Sequence, residues 1–304
     1  MSATHPHPTD TNSTPTIGVF DSGFGGLTVL RELLPLVGDA HCVYLGDTAR
    51  LPYGSKSRET IVRYAVSSAR FLQQRGAELL VVACNTATAL ALDELRDAMP
   101  IPVVGVINPG AEAAVAACSE FRNSNPDEAP GEVLVVATQA TVGSHAYTRA
   151  CAKLGLRATE KACPLLVPLV EEGWICEDDG EGDAARASVT AQVLRIYLSE
   201  ALDEAPASRA LLLGCTHYPL LRPAIERTLA ELGRPLRVID SARATARAVA
   251  HVMQQNGIAR QASADAGDAT CEFFATDSVQ KFERLGSRFL GRPVEGVQLV
   301  DLGG

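Results

Sequence analysis

Two cysteines stand in closely similar sequence contexts, and a thiol in such a context can act as an acid or a base. Each ends a short apolar run, residues 79–83 before Cys84 and 211–214 before Cys215, and each precedes polar residues and a helical pattern. Such runs are typical of strands buried on both faces of a parallel sheet. In open α/β sheets, ligands bind at the carboxyl ends of the strands. We therefore interpret the two cysteines as two halves of one site.

Either cysteine taken alone is explained more simply by packing, because free cysteine is among the most buried residue types. The residues that follow weigh against this interpretation, since packing does not require polar neighbours to recur. An amide and a hydroxyl follow Cys84, and a hydroxyl and an imidazole follow Cys215: Asn85, Thr86, Thr216 and His217. The paired-thiol hypothesis is preferred, and inert packing stays open as the alternative.

Two loops also follow predicted strands. The glycine-rich turn at 21–26 does not match G-x-G-x-x-G, because position 28 is threonine, and it lacks the P-loop lysine. Such a turn at a helix N-terminus still suits a small carboxylate. Asp21 has two open interpretations there, orienting a base or capping the helix. The polar loop 46–55 is long for a strand-to-helix connection, which predicts a binding loop.

Strand and helix patterns alternate from residue 16 to residue 302. This alternation predicts an α/β fold with mostly parallel sheets flanked by helices. Residues 1–15 are polar, contain no apolar stretch that would make a signal peptide, and are predicted to be a disordered tail. The acidic run 177–183 is predicted to be a solvated loop, with metal binding as the less favoured alternative.

Composition narrows the class of protein. The 304 residues are 46% hydrophobic, and the net charge of −9 without a basic stripe argues against a nucleic-acid partner. No apolar run reaches the roughly 20 residues that span a bilayer, so no membrane partner is expected. The eight cysteines are scattered without zinc-site spacing, which favours reduced thiols in the cytoplasm and predicts no metal site.

Taken together, four motifs resemble the glutamate racemase family of the aspartate/glutamate racemase superfamily. The matching stretches are residues 21–27, 46–54, 83–87 and 214–220, and the C-terminal helix pattern at 281–291 fits as well. The resemblance therefore covers nearly the whole chain. Any one of these motifs alone would be weak, whereas the set is specific.

The resemblance implies two pseudo-symmetric α/β domains, residues 16–107 plus 222–304 and residues 108–221, with the active site in the cleft between them. It also implies cofactor-independent interconversion of L- and D-glutamate, a small-molecule substrate. D-Glutamate would serve peptidoglycan synthesis, and with it the cell wall and cell shape. A homodimer is left open.

Residue by residue, the resemblance makes Cys84 and Cys215 the two acid/base groups, assisted by Asp21 and His217. Cys84 would serve D-glutamate and Cys215 L-glutamate. Glu171 matches a further acidic residue of the family. The implied substrate contacts are Asp21, Ser22, Tyr53, Gly54, Asn85, Thr86, Thr141, Thr216 and His217.

The chemistry explains why the site needs these residue types. Racemisation removes a proton from one face of the α-carbon and returns one to the other face, which two bases accomplish without rotating the substrate. A free thiol titrates at about 8.5, and a helix N-terminus or a nearby imidazolium favours its thiolate form.

Two rival hypotheses remain. One is a related cysteine-pair enzyme acting on aspartate, a hydantoin or a malonate, and the other is a non-catalytic amino-acid-binding protein.

Overall fold

The computed structural model describes residues 14–124, 131–175, 184–258 and 269–303, with the backbone alone described for 184–188. Most of the predicted tail and the acidic run 177–183 lie outside these residues. Within them, the strands are β1 (Thr16–Asp21), β2 (His41–Gly46), β3 (Leu79–Val82), β4 (Val103–Gly105), β5 (Glu132–Ala137), β6 (Ala158–Ala162), β7 (Ser208–Gly214), β8 (Arg237–Asp240), β9 (Thr270–Ala275) and β10 (Gln298–Leu299).

Helices connect most of these strands. They are α1 (Leu27–Leu33), α2 (Arg58–Gln74), α3 (Asn85–Ala98), α4 (Ile107–Ser124), α5 (Gln139–Gly143), α6 (Ala146–Lys153), α7 (Leu166–Glu171), α8 (Ala184–Glu204), α9 (Arg222–Glu231), α10 (Ser241–Gln255) and α11 (Val279–Leu290). Short 3₁₀ turns lie at Thr48–Arg50, Tyr53–Ser55 and Tyr218–Leu221.

The strands form two sheets. The first has the order β10-β9-β2-β1-β3-β4 and the second β6-β5-β7-β8, and all the strand pairs in the described part of the chain are parallel. Helix α10 packs against both α1 and α4, and α4 also packs on β7. The predicted α/β class, with parallel sheets flanked by helices, is confirmed.

The core follows this layering. One buried cluster includes side chains from both sheets, such as Val19 of β1 and Val135 of β5. A second cluster covers the other face of the first sheet beneath α2 and α3, and it contains Val82 and Ala91. Because β3 is buried on both faces, its apolar run Leu79–Val82 has the composition predicted for an interior parallel strand.

One strand pairing crosses the predicted domain division. Strand β8 pairs with β7 in the second sheet, although residues 222–304 were predicted to belong with the first domain. The division itself stays a prediction. Strand β6 was not predicted, and the stretch 142–154, whose sequence pattern predicts one helix, is divided between two helices, α5 and α6. They are separated at His145, whose φ is 53°.

Candidate active site

A cavity of about 310 Å³ lies where residues from both sheets meet. The carboxyl ends of three strands lie at this cavity. Its lining includes Ser22, which follows β1, Cys84, which follows β3, and Cys215, which follows β7. Nine of the predicted site residues line it: Ser22, Tyr53, Gly54, Cys84, Asn85, Thr86, Cys215, Thr216 and His217. The two thiols open onto one space, although only 5% of Cys84 and 6% of Cys215 is exposed.

Two predicted substrate contacts, Asp21 and Thr141, lie behind this lining and are fully buried. Asp21 accepts hydrogen bonds from the Gly23 N–H (2.9 Å) and from the Thr216 hydroxyl (3.5 Å). The Thr141 hydroxyl lies 3.3 Å from that of Thr86. In this structure both residues support side chains that line the cavity. Their direct contact with substrate stays a prediction.

Cys84 is held by the start of α3. It occupies the N-cap position, and its Sγ accepts a hydrogen bond from the Ala87 N–H at 3.4 Å. The hydroxyl oxygen of Ser22 lies 3.6 Å from the same sulfur. Burial raises the pKa of Cys84 to about 12, and the negative charge of Asp21 adds to this increase. Cys84 therefore keeps its proton at neutral pH in the absence of substrate.

Cys215 has a different neighbour. Its Sγ lies 3.9 Å from Nδ1 of His217, whose other ring nitrogen, Nε2, lies 3.3 Å from Oε1 of Glu171. Oε2 of Glu171 in turn accepts a hydrogen bond from Nζ of Lys281 at 3.2 Å. The four side chains form a continuous series from the buried thiol to α11, where the Lys281 side chain is 38% exposed. We call this series the Cys215 relay.

The protonation of the relay follows from its contacts. Burial lowers the pKa of His217, but its hydrogen bonds with Cys215 and Glu171 outweigh burial and raise the pKa to about 10. Burial raises the pKa of Glu171, but its contacts with His217 and Lys281 outweigh burial and lower the pKa. His217 is therefore an imidazolium at neutral pH, between a carboxylate and the thiol of Cys215. A cation in this position favours a thiolate.

The glycine-rich turn explains how the two sheets approach so closely here. A β-carbon on Gly25 would lie 2.3 Å from Oγ1 of Thr216 and 2.6 Å from Nδ1 of His217. Real β-carbons do not approach other heavy atoms so closely. Glycine at position 25 therefore allows the turn after β1 to pack directly against the residues that follow Cys215.

The polar loop 46–55 is anchored below the cavity. The Tyr53 hydroxyl donates to the buried carboxylate of Asp47, which also accepts a hydrogen bond from the Thr276 hydroxyl (3.0 Å). Burial raises the pKa of Asp47, although the hydrogen bond from Tyr53 and the nearby Arg50 oppose this increase. This network places Tyr53 and Gly54 on the cavity wall.

Several lining residues were not predicted from the sequence. The Thr138 hydroxyl caps α5 and lies 2.9 Å from that of Thr86, and its position directly after β5 was a usable signal. Helix α7 and the residues before it contribute the apolar wall of Pro164, Val167 and Pro168. That wall follows β6, whose polar sequence had no strand signal.

Asn85 leaves one donor unused. The Tyr147 hydroxyl donates to its Oδ1 at 2.6 Å, which fixes the orientation of the amide. Its Nδ2 is buried and has no hydrogen-bond partner among the described residues. Because an unpaired buried donor is costly, this amide is suited to a ligand that supplies an acceptor.

Two features are absent from the described ranges. Within them, no group of three or more His, Cys, Asp or Glu side chains is arranged to hold a metal ion. None of the helices in the same ranges is both long and apolar enough to cross a membrane.

Comparison with known proteins agrees with this architecture. The model of the Asp/Glu/Hydantoin racemase family matches residues 17–249. A glutamate racemase of Koribacter versatilis is 48% identical, over 95% of this chain and 98% of its own length. The chain is therefore an isomerase that belongs to the Asp/Glu/hydantoin racemase family.

Solved structures point to the same group. Glutamate racemase from Francisella tularensis, in complex with D-glutamate, is 30% identical with a TM-score of 0.79, over 95% of this chain and 98% of that one. The Escherichia coli enzyme, in complex with L-glutamate and the activator UDP-MurNAc-Ala, is 27% identical with a TM-score of 0.70. That match covers 96% of this chain and all of the other.

Proposed function

We propose that this protein interconverts L- and D-glutamate by proton transfer at the α-carbon, with Cys84 and Cys215 as the two bases and no cofactor. The observation that carries the proposal is the meeting of two thiols, from different sheets, in one cavity. The glutamate racemases named above match this chain over nearly their full length, which supports glutamate as the substrate.

The charges of the site support a defined direction for each step. For L-glutamate, the Cys215 thiolate removes the α-proton and forms an S–H bond, while the C–H electron pair remains on the α-carbon and is delocalised into the carboxylate. Cys84, whose pKa of about 12 keeps it protonated, donates its proton to the opposite face and becomes a thiolate. D-Glutamate reverses these roles. The assignment of each thiol to one enantiomer rests on the family resemblance.

Substrate binding is assigned to the groups on the cavity wall. The free Nδ2 of Asn85 and the hydroxyl of Thr86 are donors for the α-carboxylate, whose negative charge grows as the proton leaves. Ser22, Tyr53 and Gly54 complete the predicted contacts. We assign Asp21 to the substrate ammonium through the Thr216 hydroxyl, because Asp21 itself lies behind the lining.

The same proposal includes the cellular role. Seven cysteines in the described part of the chain are free thiols, as expected of a protein in the reducing cytoplasm. The E. coli relative binds an activator named UDP-MurNAc-Ala, which supports a link to peptidoglycan synthesis and thus to cell wall and cell shape. We retain a homodimer as an untested assembly and expect neither nucleic acid nor membrane as a partner.

One experiment separates the candidate functions. The protein, dialysed against a chelator, is incubated with L-glutamate in deuterated water, and the α-position is followed by NMR. We expect deuterium at the α-carbon and formation of D-glutamate, while aspartate under the same conditions exchanges far more slowly. Faster exchange with aspartate would reassign the substrate, and no exchange with any amino acid would leave a binding protein. Activity that returned only on adding a metal ion would refute the cofactor-free mechanism.

A further inference from the structure

A second pair of cysteines lies at the far end of the first sheet. Cys42 is the second residue of β2 and Cys271 the second residue of β9, and the two are register partners in adjacent parallel strands. They therefore lie near the amino ends of these strands, whereas the cavity lies at the carboxyl ends. The mechanism proposed above makes no use of them.

The two side chains share one face of the sheet. Both pack in the cluster that contains Tyr44 and Phe273, which lie two residues further along the same strands. Neighbouring strands are about 4.7–4.9 Å apart. This spacing falls within the roughly 4.4–6.8 Å between α-carbons that a disulfide spans. The register of Cys42 with Cys271 is therefore compatible with a disulfide across the two strands.

The environment distinguishes the two thiols. Cys42 is fully buried, whereas Cys271, alone among the cysteines of the described ranges, is partly exposed. Arg292, just after α11, donates from Nη2 to the Cys271 sulfur at 3.6 Å. A guanidinium at this distance favours a thiolate. The hydrogen bond from Cys42 and the charge of Arg292 together lower the pKa of Cys271 despite its partial burial.

We propose that Cys42 and Cys271 form a peroxide-sensitive dithiol, in which Cys271 is oxidised first and Cys42 resolves the product as a disulfide. The Cys271 thiolate displaces hydroxide from hydrogen peroxide, so the O–O bond breaks and a sulfenic acid forms. The Cys42 sulfur then attacks that sulfur, releasing water and forming the S–S bond. Two thiols lose two electrons and two protons, and one peroxide becomes two waters.

The full chain allows a direct test, because trypsin isolates each thiol. Cleavage after Arg31 and Arg50 gives peptide 32–50, and cleavage after Arg260 and Lys281 gives peptide 261–281, each with a single cysteine. The reduced protein is treated with equimolar hydrogen peroxide, alkylated and digested without reductant. We expect the two peptides linked, at their summed mass minus two hydrogens, as the first disulfide to appear. A different first pair, or no disulfide, would overturn the proposal.

Variants separate the two steps. Cys42→Ser removes the resolving thiol, so a dimedone adduct should accumulate on peptide 261–281 in place of the linked product. Arg292→Met should slow oxidation of Cys271 by about threefold to tenfold, since fewer molecules carry a thiolate. Arg288→Met is the matched control, because Arg288 is an exposed arginine of the preceding helix. Equal rates in the two arginine variants, with unchanged melting temperatures, would refute the role of Arg292.

Oxidation at this pair does not depend on the proposed racemase activity. The peptide map of the parent protein requires no substrate and no substitution, so it can fail while glutamate racemisation succeeds. Conversely, an inactive protein that still forms the Cys42–Cys271 disulfide would leave this inference intact.

Discussion

The two halves of the cavity look alike in sequence, yet their cysteines are supported by different chemistry. Cys84 is held by neutral groups, the Ala87 N–H and the Ser22 hydroxyl. Cys215 lies beside His217 and, through it, connects to Glu171 and Lys281. The environment of Cys84 is therefore defined by burial and by the N-terminus of a helix. The environment of Cys215 is defined by a series of charged side chains that reaches the surface.

Equivalent positions in two similar sheets therefore need not respond equally to substitution. The proposed mechanism uses one thiolate and one thiol, and two different environments favour that difference. The buried Asp21 carboxylate raises the pKa of Cys84 and so disfavours its thiolate, whereas Cys215 lies beside the imidazolium of His217. The comparison predicts that substitutions on either side affect the two enantiomers of glutamate unequally.

The largest expected effect comes from removing one thiol. Cys84→Ala or Cys215→Ala should lower racemisation by about 10³-fold or more, because one face of the α-carbon loses its base. Deuterium exchange should survive with one enantiomer only: L-glutamate in Cys84→Ala and D-glutamate in Cys215→Ala. Single-enantiomer exchange followed by NMR measures this directly.

The control for this pair of variants is Cys151→Ala. Cys151 is a fully buried free thiol on α6 that is not among the cavity-lining residues. Its replacement should cost stability, by about 0.5–3 kcal/mol, and leave racemisation near the parent rate. A folded Cys84→Ala protein that also racemises near the parent rate would end the two-base hypothesis.

A smaller and directional effect is expected from His217→Asn. Loss of the imidazolium should slow exchange with L-glutamate by about 10²-fold and exchange with D-glutamate by less, because only Cys215 contacts this ring. Steady-state kcat/KM values are tied by the overall equilibrium, so single-turnover exchange must be measured for each enantiomer separately. Equal slowing of both would contradict the assignment.

The same variant should alter the dependence on pH. Because the pKa of His217 is raised from 6.5 to about 10, its charged form stabilises the fold fully below pH 6.5. This stabilisation is lost as the pH rises toward 10. Exchange with L-glutamate should likewise fall near pH 10, and that decrease should be absent in His217→Asn. Melting temperatures and exchange rates from pH 6 to pH 11 test both expectations.

Much of this comparison was predictable from the sequence. Parallel strands bring their carboxyl ends to one edge, so motifs after β1, β3 and β7 had to meet if those strands were parallel neighbours or faced one another. The polar residues after each apolar run then identified most of the cavity wall. The relative placement of the two sheets was not predictable in this way, because periodicity describes one element at a time.

The failures have physical causes. Strand β6 (Ala158–Ala162) lies at the edge of its sheet and carries Thr, Glu and Lys at partly exposed positions, so it lacks the apolar run of a buried strand. The pairing of β8 with β7 is likewise not recorded in local sequence, while the domain division remains a prediction. Lys281 contacts Glu171, which lies 110 positions earlier in the chain. Nothing in the sequence around a surface lysine on an amphipathic helix indicates such a contact.

The smallest expected effect comes from that lysine and tests how far the Cys215 relay extends. Lys281→Met removes a cation that lowers the pKa of Glu171, so this pKa should rise. The rate of deuterium exchange with L-glutamate, which should decrease as Glu171 becomes protonated at low pH, should then begin to decrease at a higher pH. At neutral pH we expect a loss of about threefold or less, since the Lys281 side chain is partly exposed and its charge is screened. Added salt should shift the parent profile in the same direction.

Lys281→Arg provides the matched control, because it keeps the positive charge on the same helix position. It should restore the parent pH profile with L-glutamate, and neither variant should change exchange with D-glutamate, which begins at Cys84. A loss shared equally by both enantiomers, or one that arginine does not restore, would mean that Lys281 acts only by packing α11 against α7. The relay would then end at Glu171, and the asymmetry between the two cysteines would rest on His217 and Glu171 alone.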